Sequence, residues 1–486
     1  MNILFVASEV AGYAKSGGLA DVSSALPKAF KKLGYNIKVV MPRYYSIDKT
    51  KLKSLGAMGV SMGSLGEFWC EVFTTKMGSV DIYFIDYEAY FGRANLYSDE
   101  NGVAYSDNAE RFIFLSKASF ELARLLKFRV DIIHANDWHT ALIPLMLKAK
   151  YRYVDEFKNS ATILTIHNMQ HQGKFQNRNL IDIAEVGWES FTPDNLEEFG
   201  GLNFLKSAIT QSDAINTVSP TYSKEIKTRE FGYGLDSYLR GRELLFGILN
   251  GVDYSEWSPK NDNYIVKNYS LETIEDKKIC KRDLQKIFNL PQNNNIPIIG
   301  FVGRFATQKG IELISQAIWE ILELDIQMVI LGSGEKWAEG FFSDIANRYP
   351  QKFATHIGYS NELAHKIEAG SDMFLMPSLF EPCGLNQIYS LAYGTPPIVR
   401  AVGGLDDTIR NLDKNIEKPN GFKFYKATKE ALVGTIKWAV DIYYNDKKSF
   451  NMLIKNGMQD KFNWENSAKK YEKLYKLAIY KKELEL

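Results

Sequence analysis

Cysteine is scarce in this sequence, which contains Cys70, Cys280 and Cys383 at widely separated positions. Three distant cysteines do not fit a disulfide framework, and their spacing matches no zinc-binding motif. We therefore expect a reducing, cytoplasmic location. We interpret Cys70 and Cys280 as small core or loop residues, whereas Cys383 lies in a loop of functional interest.

Long apolar runs and net charge are also missing. No stretch approaches the roughly 20 apolar residues that cross a bilayer, and the apolar run at residues 2–7 lacks the basic lead of a signal peptide. The chain has 59 Lys and Arg against 58 Asp and Glu, a formal charge of +1. These absences give no reason to expect a membrane or nucleic acid as partner.

The 486 residues exceed one ordinary core, and the sequence pattern divides them in two. Strand-like and helix-like segments alternate through residues 1–250 and again through 251–464, with a polar, weakly patterned stretch at 250–276 between the two series. Such alternation predicts an α/β fold with mostly parallel sheets, here two Rossmann-like domains.

The most informative stretch follows the apolar strand at residues 372–376. Glu381 lies in a loop that Pro382 and Gly384 shape, and a helical pattern then covers 385–393. Open α/β sheets bind ligands at the carboxyl ends of their strands. Backbone N–H groups at the helix start suit a phosphate, and a carboxylate suits hydroxyls, so the loop favours a nucleotide-sugar ligand.

Two glycine loops carry cations at similar positions. Arg304 and Lys309 flank a loop between a strand and a helix, where they could neutralise a diphosphate leaving group. Lys15 precedes Gly17 and Gly18 in a comparable loop after the first strand, which on its own is a weak phosphate-binding signal.

Four of the six histidines lie after two strands of the first half. Their spacing fits no zinc protease motif, so we interpret His134, His139 and His171 as structural residues that hold loops to backbone carbonyls. His167 ends a strand and could bond a sugar hydroxyl, with Asp137 as a carboxylate partner.

Three further signals are weak when taken alone. Asn250 begins an Asn-Gly turn with a small chance of ligand contact, Tyr359 could stack on a nucleobase, and the Gly403–Gly404 pair could approach a phosphate. A plain loop or core role is the simpler interpretation of each.

Taken in order, these motifs resemble the bacterial glycogen synthases, the ADP-glucose-dependent starch and glycogen synthase family of retaining glycosyltransferases. The resemblance spans nearly the whole chain. It is carried by KSGGLADV from Lys15, HANDWH from His134, TIHN from Thr165, NGVD from Asn250, GR at Gly303 with KG at Lys309, IGY ending at Tyr359, and FEPCGL from Phe380.

The resemblance implies a GT-B fold, two Rossmann-like domains facing an interdomain cleft, with a C-terminal helix at 465–486 packing back on the first domain. It implies a donor site without metal or other cofactor. Around the donor phosphates it implies Lys15, Arg304 and Lys309, and at the adenine it implies Tyr359. Around the glucosyl group it implies Asp21, Asp137, His167 and Glu381. Along the sugar–phosphate contact it implies Cys383, Gly384 and Leu385.

Two positions depart from the family pattern. Asn386 replaces a threonine after Gly-Leu, which leaves fine donor preference open, and Asn136 replaces a histidine at a position we expect to lie outside the contact set.

The expected reaction is transfer of glucose from ADP-glucose to the non-reducing end of glycogen or another α-1,4-glucan, with retention of configuration. One alternative is a related GT-B enzyme with a UDP-sugar donor, which a comparison of donors separates. Another is a non-catalytic glucan-binding protein, which would have no use for Lys15, Arg304 and Lys309.

Overall fold

The computed structural model describes residues 1–485, which form two compact units. Unit 1 comprises residues 1–218, 223–251 and the chain from 464 onward, and unit 2 comprises 219–222 and 252–463. Of the expected C-terminal helix at 465–486, Leu486 lies outside the described residues.

Within the described residues, unit 1 contains twelve strands: β1 (Asn2–Val6), β2 (Asn36–Pro42), β3 (Lys53–Ser61), β4 (Glu67–Met77), β5 (Val80–Asp86), β6 (Ile132–Asn136), β7 (Ala161–Ile166), β8 (Lys174–Phe175), β9 (Glu197–Glu198), β10 (Gly201–Asn203), β11 (Ala214–Thr217) and β12 (Leu245–Gly247). Nine form one sheet in the order β12-β11-β7-β6-β1-β2-β5-β4-β3. The remaining three form a small antiparallel sheet in the order β8-β10-β9.

The main sheet is parallel from β12 to β5, as the alternating pattern predicts, and its other edge is antiparallel. Strands β3 and β4 were not predicted from the sequence. Glycines at 56 and 59 and many exposed positions weaken the apolar alternation that identifies a strand.

Helices surround this sheet. Up to residue 251 they are α1 (Gly18–Lys32), α2 (Glu88–Phe91), α3 (Asn108–Leu125), α4 (Ile143–Met146), α5 (Leu180–Ala184), α6 (Phe204–Gln211), α7 (Pro220–Glu225), α8 (Arg229–Gly232) and α9 (Asp236–Arg240). Helix α1 buries Leu19, Val22, Leu26 and Phe30, the stripe that its helical spacing predicts.

Unit 2 is built on a parallel sheet in the order β15-β14-β13-β16-β17-β18. Its strands are β13 (Ile298–Val302), β14 (Gln327–Gly332), β15 (Phe353–Ile357), β16 (Met373–Met376), β17 (Pro397–Arg400) and β18 (Phe422–Phe424). Its helices are α10 (Lys277–Ile287), α11 (Ile311–Leu322), α12 (Lys336–Arg348), α13 (Asn361–Gly370), α14 (Asn386–Ala392), α15 (Gly403–Thr408), α16 (Lys429–Asn445) and α17 (Lys447–Gln459). Apolar clusters cover both faces of the sheet.

The last helix, α18 (Trp464–Glu485), belongs to unit 1 and packs against α1, β7 and β11. Its Tyr475 hydroxyl lies 2.6 Å from His134 Nδ1, and its Tyr471 hydroxyl accepts a 2.7 Å hydrogen bond from Asn216. Both tyrosines are fully buried. From residue 1 to 485, no helix is long and apolar enough to span a bilayer.

We predict that Tyr475→Phe destabilises unit 1 by about 1–3 kcal/mol, because His134 Nδ1 would remain buried without its partner. Urea unfolding measured by circular dichroism tests this value. The matched control is Tyr480→Phe in the same helix, where the ring is 60% exposed and little change is expected. Equal midpoints for the two variants would contradict the prediction.

Candidate active site

Glu381 is the centre of the unit 2 site. It lies in the loop between β16 and α14 and is only 5% exposed. Its carboxylate lies 2.5 Å from Lys309 Nζ and accepts a 3.1 Å hydrogen bond from the Ser378 hydroxyl. The structure thus brings together two residues that are 72 positions apart and that the sequence predicts for one site.

Gly310 allows this approach. It has φ +73°, and a Cβ there would lie 2.1 Å from the carbonyl oxygen of Pro377, which directly follows β16. The Leu379 N–H also donates to the Gln308 carbonyl at 2.8 Å. The loop that carries Lys309 is therefore packed backbone to backbone against the loop that carries Glu381.

A second pair of glycines supports the Glu381 loop from the other side. Gly403 and Gly404 begin α15, where added Cβ atoms would lie 2.0 Å from the Glu381 carbonyl oxygen and 1.9 Å from that of Cys383. The Gly404 N–H donates to the Glu381 carbonyl at 3.1 Å. These contacts give the glycine pair a packing role, and the phosphate-approaching turn considered from sequence stays a hypothesis.

The carbonyls of the loop are fixed by a buried amide. Gln387 donates to the carbonyl oxygens of Cys383 and Gly384 at 3.1 and 3.0 Å. Gly384 has φ +70°, and Leu385 directly precedes α14. The Asn386 amide donates to Val302 O at 2.9 Å, so this departure from the family pattern joins α14 to the end of β13.

The other predicted unit 2 residues are exposed. Arg304 donates to the Gln308 amide oxygen at 3.1 Å, which keeps its guanidinium beside the loop that carries Lys309. Tyr359 is 86% exposed in the turn between β15 and α13. An exposed ring beside a strand end is available for stacking.

In unit 1, the glycine loop after β1 surrounds a buried acid. Glu9 accepts hydrogen bonds from the Ser16 N–H, from the Ser16 hydroxyl at 2.9 Å and from the Gly17 N–H at 3.2 Å. Burial raises the pKa of Glu9, although these hydrogen bonds oppose the rise. Sequence reasoning missed Glu9, whose signal is an acid directly beyond a buried strand.

The outer side of the same loop is open. Lys15 and Asp21 form an ion pair at 2.7 Å and are both partly exposed. Cβ atoms added at Gly17 and Gly18 would meet no atom within 4 Å. The glycines therefore leave room that a ligand can occupy at the start of α1.

Asp137 and His167 come together at the ends of β6 and β7. Asp137 has φ +53°, and its carboxylate accepts the His167 N–H at 2.7 Å. Burial raises the pKa of Asp137 to about 7, against the opposing effect of hydrogen bonds from the His167 and Asn168 N–H groups. The carboxyl group is therefore poised between its two protonation states near neutral pH.

The His167 ring is neutral, and a hydrogen bond to Asn136 fixes its orientation. Desolvation lowers its pKa to about 3. Asn136 donates its amide to Val6 O at 3.1 Å, so Asn136 Oδ1 is the atom that lies 3.0 Å from His167 Nε2. Nε2 then carries the proton and Nδ1 is an acceptor. Asn136 thus sets this tautomer, and the expectation that it lies outside the ligand contact set stays a prediction.

The other three histidines in or after β6 and β7 are predicted to be structural, and they differ in their surroundings. His134 is structural, but its partners are the Thr165 and Tyr475 hydroxyls, so the predicted backbone carbonyl contacts were wrong. His139 packs among the rings of Tyr97, Phe112 and Trp138. His171 is exposed. Residues 1–485 contain no group of three or more His, Cys, Asp or Glu side chains placed to hold a metal.

A cavity of about 720 Å³ lies beside His171. It combines aromatic rings with amide groups, the mixture that suits a sugar polymer: apolar faces for stacking and hydrogen bonds for hydroxyls. Its lining is Ala104, Tyr105, Asn108, Trp138, Gln170, His171, Gln172, Gly173, Lys174, Phe175 and Tyr233. Asn250, also in unit 1, is buried, and its Oδ1 has no hydrogen-bond partner among the described residues.

Two family models match this chain, one in each unit. Residues 2–241 match the model of the starch synthase catalytic domain, and 283–460 match that of glycosyl transferases group 1. Glycogen synthase 1 of Geobacter sulfurreducens is 48% identical to this chain over 99% of it and 97% of the relative. The chain belongs to the glycogen and starch synthase family of glycosyltransferases.

Further members of this family show the same relationship. A Bacillus cereus glycogen synthase is 42% identical over 98% of this chain and 99% of its own. The solved catalytic domain of starch synthase IV from Arabidopsis thaliana, bound to ADP and acarbose, has a TM-score of 0.89 with 29% identity, covering 99% of both chains. The predicted family and two-domain α/β GT-B fold are confirmed.

We predict that Asp137→Asn flattens the pH dependence of stability. Because folding raises this pKa from 3.8 to about 7, the folded state holds the proton more tightly, and Asp137 removes stability as the pH rises from about 4 to 7. The variant should gain stability relative to wild type over that range, by about 1.4 kcal/mol for each pH unit between the two pKa values. Unfolding midpoints at several pH values test this.

The control for this series is Asp155→Asn, whose carboxylate is 77% exposed. Parallel stability curves for Asp137→Asn and wild type would show that the carboxyl group titrates normally.

Proposed function

We propose that this glycosyltransferase transfers glucose from ADP-glucose to the non-reducing 4-hydroxyl of an α-1,4-glucan, with retention of configuration. The observation that carries the proposal is the Lys309–Glu381 pair, a buried carboxylate held 2.5 Å from a cation beside the exposed Arg304. Relatives at 42–48% identity are named glycogen synthases, and the solved starch synthase IV domain was bound to ADP and acarbose.

In unit 2, we assign the donor diphosphate to Lys309 and Arg304. Negative charge develops on the leaving ADP as the bond between C1 of glucose and the phosphate oxygen breaks, and two cations stabilise that charge. Tyr359 offers its exposed ring to adenine. Glu381 positions the glucosyl group and supports its developing positive charge, with Cys383, Gly384 and Leu385 along the sugar–phosphate contact.

In unit 1, we assign the sugar to Asp137 and His167. His167 Nδ1 is a neutral acceptor for a sugar hydroxyl, and a fixed neutral ring costs no reorganisation during the reaction. Lys15, Gly18 and Asp21 line the open side of the first glycine loop, where we place donor phosphate and sugar contacts. Asn250 contributes its Oδ1, which has no hydrogen-bond partner within residues 1–485.

We place the acceptor in the 720 Å³ cavity, whose Trp138 directly follows Asp137. The acceptor oxygen attacks C1 from the face on which ADP leaves, and its proton passes to the departing phosphate oxygen. With cations supplied by side chains, we propose no metal or other cofactor, and we expect a chelator to leave turnover unchanged. The cytoplasm remains the predicted location.

Donor comparison is the main test. We expect purified protein to extend glycogen with ADP-glucose far faster than with UDP-glucose, and the product to be degraded by an exo-hydrolase specific for α-1,4 bonds. Turnover with UDP-glucose alone would overturn the donor assignment, and transfer to a β-linked product would overturn retention.

We expect Glu381→Gln and Lys309→Met each to lower kcat with ADP-glucose by about 10²–10³-fold, the cost of removing one preorganised charge. Steady-state kinetics with glycogen as acceptor measures the loss. The matched control is Lys336→Met, a lysine of the same unit whose side chain is 90% exposed. Wild-type kcat in either site variant would refute the assignment.

A further inference from the structure

The turn between β9 and β10 holds Phe199 in the left-handed backbone conformation, which glycine and asparagine adopt more easily. Glu198 pairs with Gly201, so Phe199 and Gly200 form a two-residue turn, with φ values of +49° and +78°. Turns with two positive φ values favour Asn-Gly. A bulky side chain at positive φ is strained.

Hydrogen bonds hold the second residue of this turn. The Gly200 N–H donates to Glu197 Oε1 at 2.6 Å, and the Gly200 carbonyl accepts from Arg178 Nε at 2.6 Å. The Arg178 guanidinium in turn lies over the Phe191 ring, 5.2 Å from its centroid. The two peptide groups that flank Gly200, directly after Phe199, are therefore hydrogen-bonded.

The Phe199 ring is 94% exposed. Unit 1 therefore bears the strain of this residue with almost no packing in return. Local strain of this kind occurs at ligand-binding positions, where surrounding contacts enforce it. An exposed ring on a hydrogen-bonded turn offers a surface for stacking.

The turn is continuous with the cavity. Phe175 lines the cavity and pairs with Leu202 of β10, which lies three residues after Phe199. At about 3.3 Å per residue, Phe199 lies roughly 10 Å along the hairpin from that pair. An ion pair at 3.0 Å joins Lys174 on β8 to Glu198 on β9, across the central strand β10 of the small sheet. A chain leaving the cavity along this sheet passes the turn.

We propose that Phe199 is a stacking platform for the α-1,4-glucan, contacting glucose residues beyond those in the cavity and favouring long acceptors over short ones. The occupant is a glucan because the adjoining cavity offers rings for the apolar sugar faces and amides for the hydroxyls. This inference rests on the proposed function, and its effect falls on KM for long acceptors, not on kcat.

The test compares Phe199→Asn with Phe199→Tyr. Asparagine suits the left-handed turn and removes the ring, so the thermal midpoint should rise while KM and Kd for maltoheptaose increase about three- to ten-fold, the range of one stacking contact. Maltose should be much less affected. Tyrosine keeps the ring and should keep maltoheptaose affinity. Tyr153→Ala, at a ring 81% exposed elsewhere in unit 1, is the control.

The outcomes separate the two proposals. A higher midpoint with unchanged maltoheptaose affinity in Phe199→Asn overturns the platform, and so does a lower midpoint, which would mean that the ring packs. Equal losses for maltose and maltoheptaose overturn the chain-length preference. Absence of glucosyl transfer by the wild type overturns the proposed function, whereas calorimetric binding of maltoheptaose still tests the platform.

Discussion

The ion pair between Glu381 and Lys309 is the interaction on which the unit 2 site depends. A carboxylate at the end of a buried strand loses its hydration, and a lone buried charge costs several kcal/mol unless it is paired and hydrogen-bonded. Lys309 and Ser378 provide both, at 2.5 and 3.1 Å. The close backbone contacts at Gly310, Gly403 and Gly404 keep the partners at this distance. Side chains larger than hydrogen at these glycines would force the loops apart.

The unit 1 site holds its two buried acids differently. Glu9 and Asp137 accept backbone N–H groups and have raised pKa values. His167, beside Asp137, is kept neutral by desolvation. Unit 2 therefore pairs its buried site acid with a cation, whereas the acids of the unit 1 site are held by hydrogen bonds from backbone N–H groups. In the proposed function, the first arrangement meets the donor diphosphate and the second meets the hydroxyls of the sugar.

Much of this could be read from the sequence, because the relevant patterns are local. Strand ends followed by glycine loops led us to predict Lys15, Arg304, Lys309 and Glu381 as site residues, and the alternation of strands and helices predicted the α/β class that the structure confirms. What was missed depends on distant contacts. Asn136 orients His167 from a neighbouring strand, and the packing role of Gly403 exists only against the carbonyl of Glu381. The β3–β4 extension was missed because its glycines and exposed residues obscure the strand pattern.

The position of α18 has a consequence for how the chain folds during synthesis. Unit 1 is begun by the first residues but completed only by the helix that starts at Trp464. Until then, His134 and Asn216 lack the tyrosine hydroxyls that they meet in the finished structure. At 5–20 residues per second, residues 252–463 take roughly ten to forty seconds to translate. Unit 2 is continuous apart from four residues, so it can fold on the ribosome while the unit begun first still waits for its last helix.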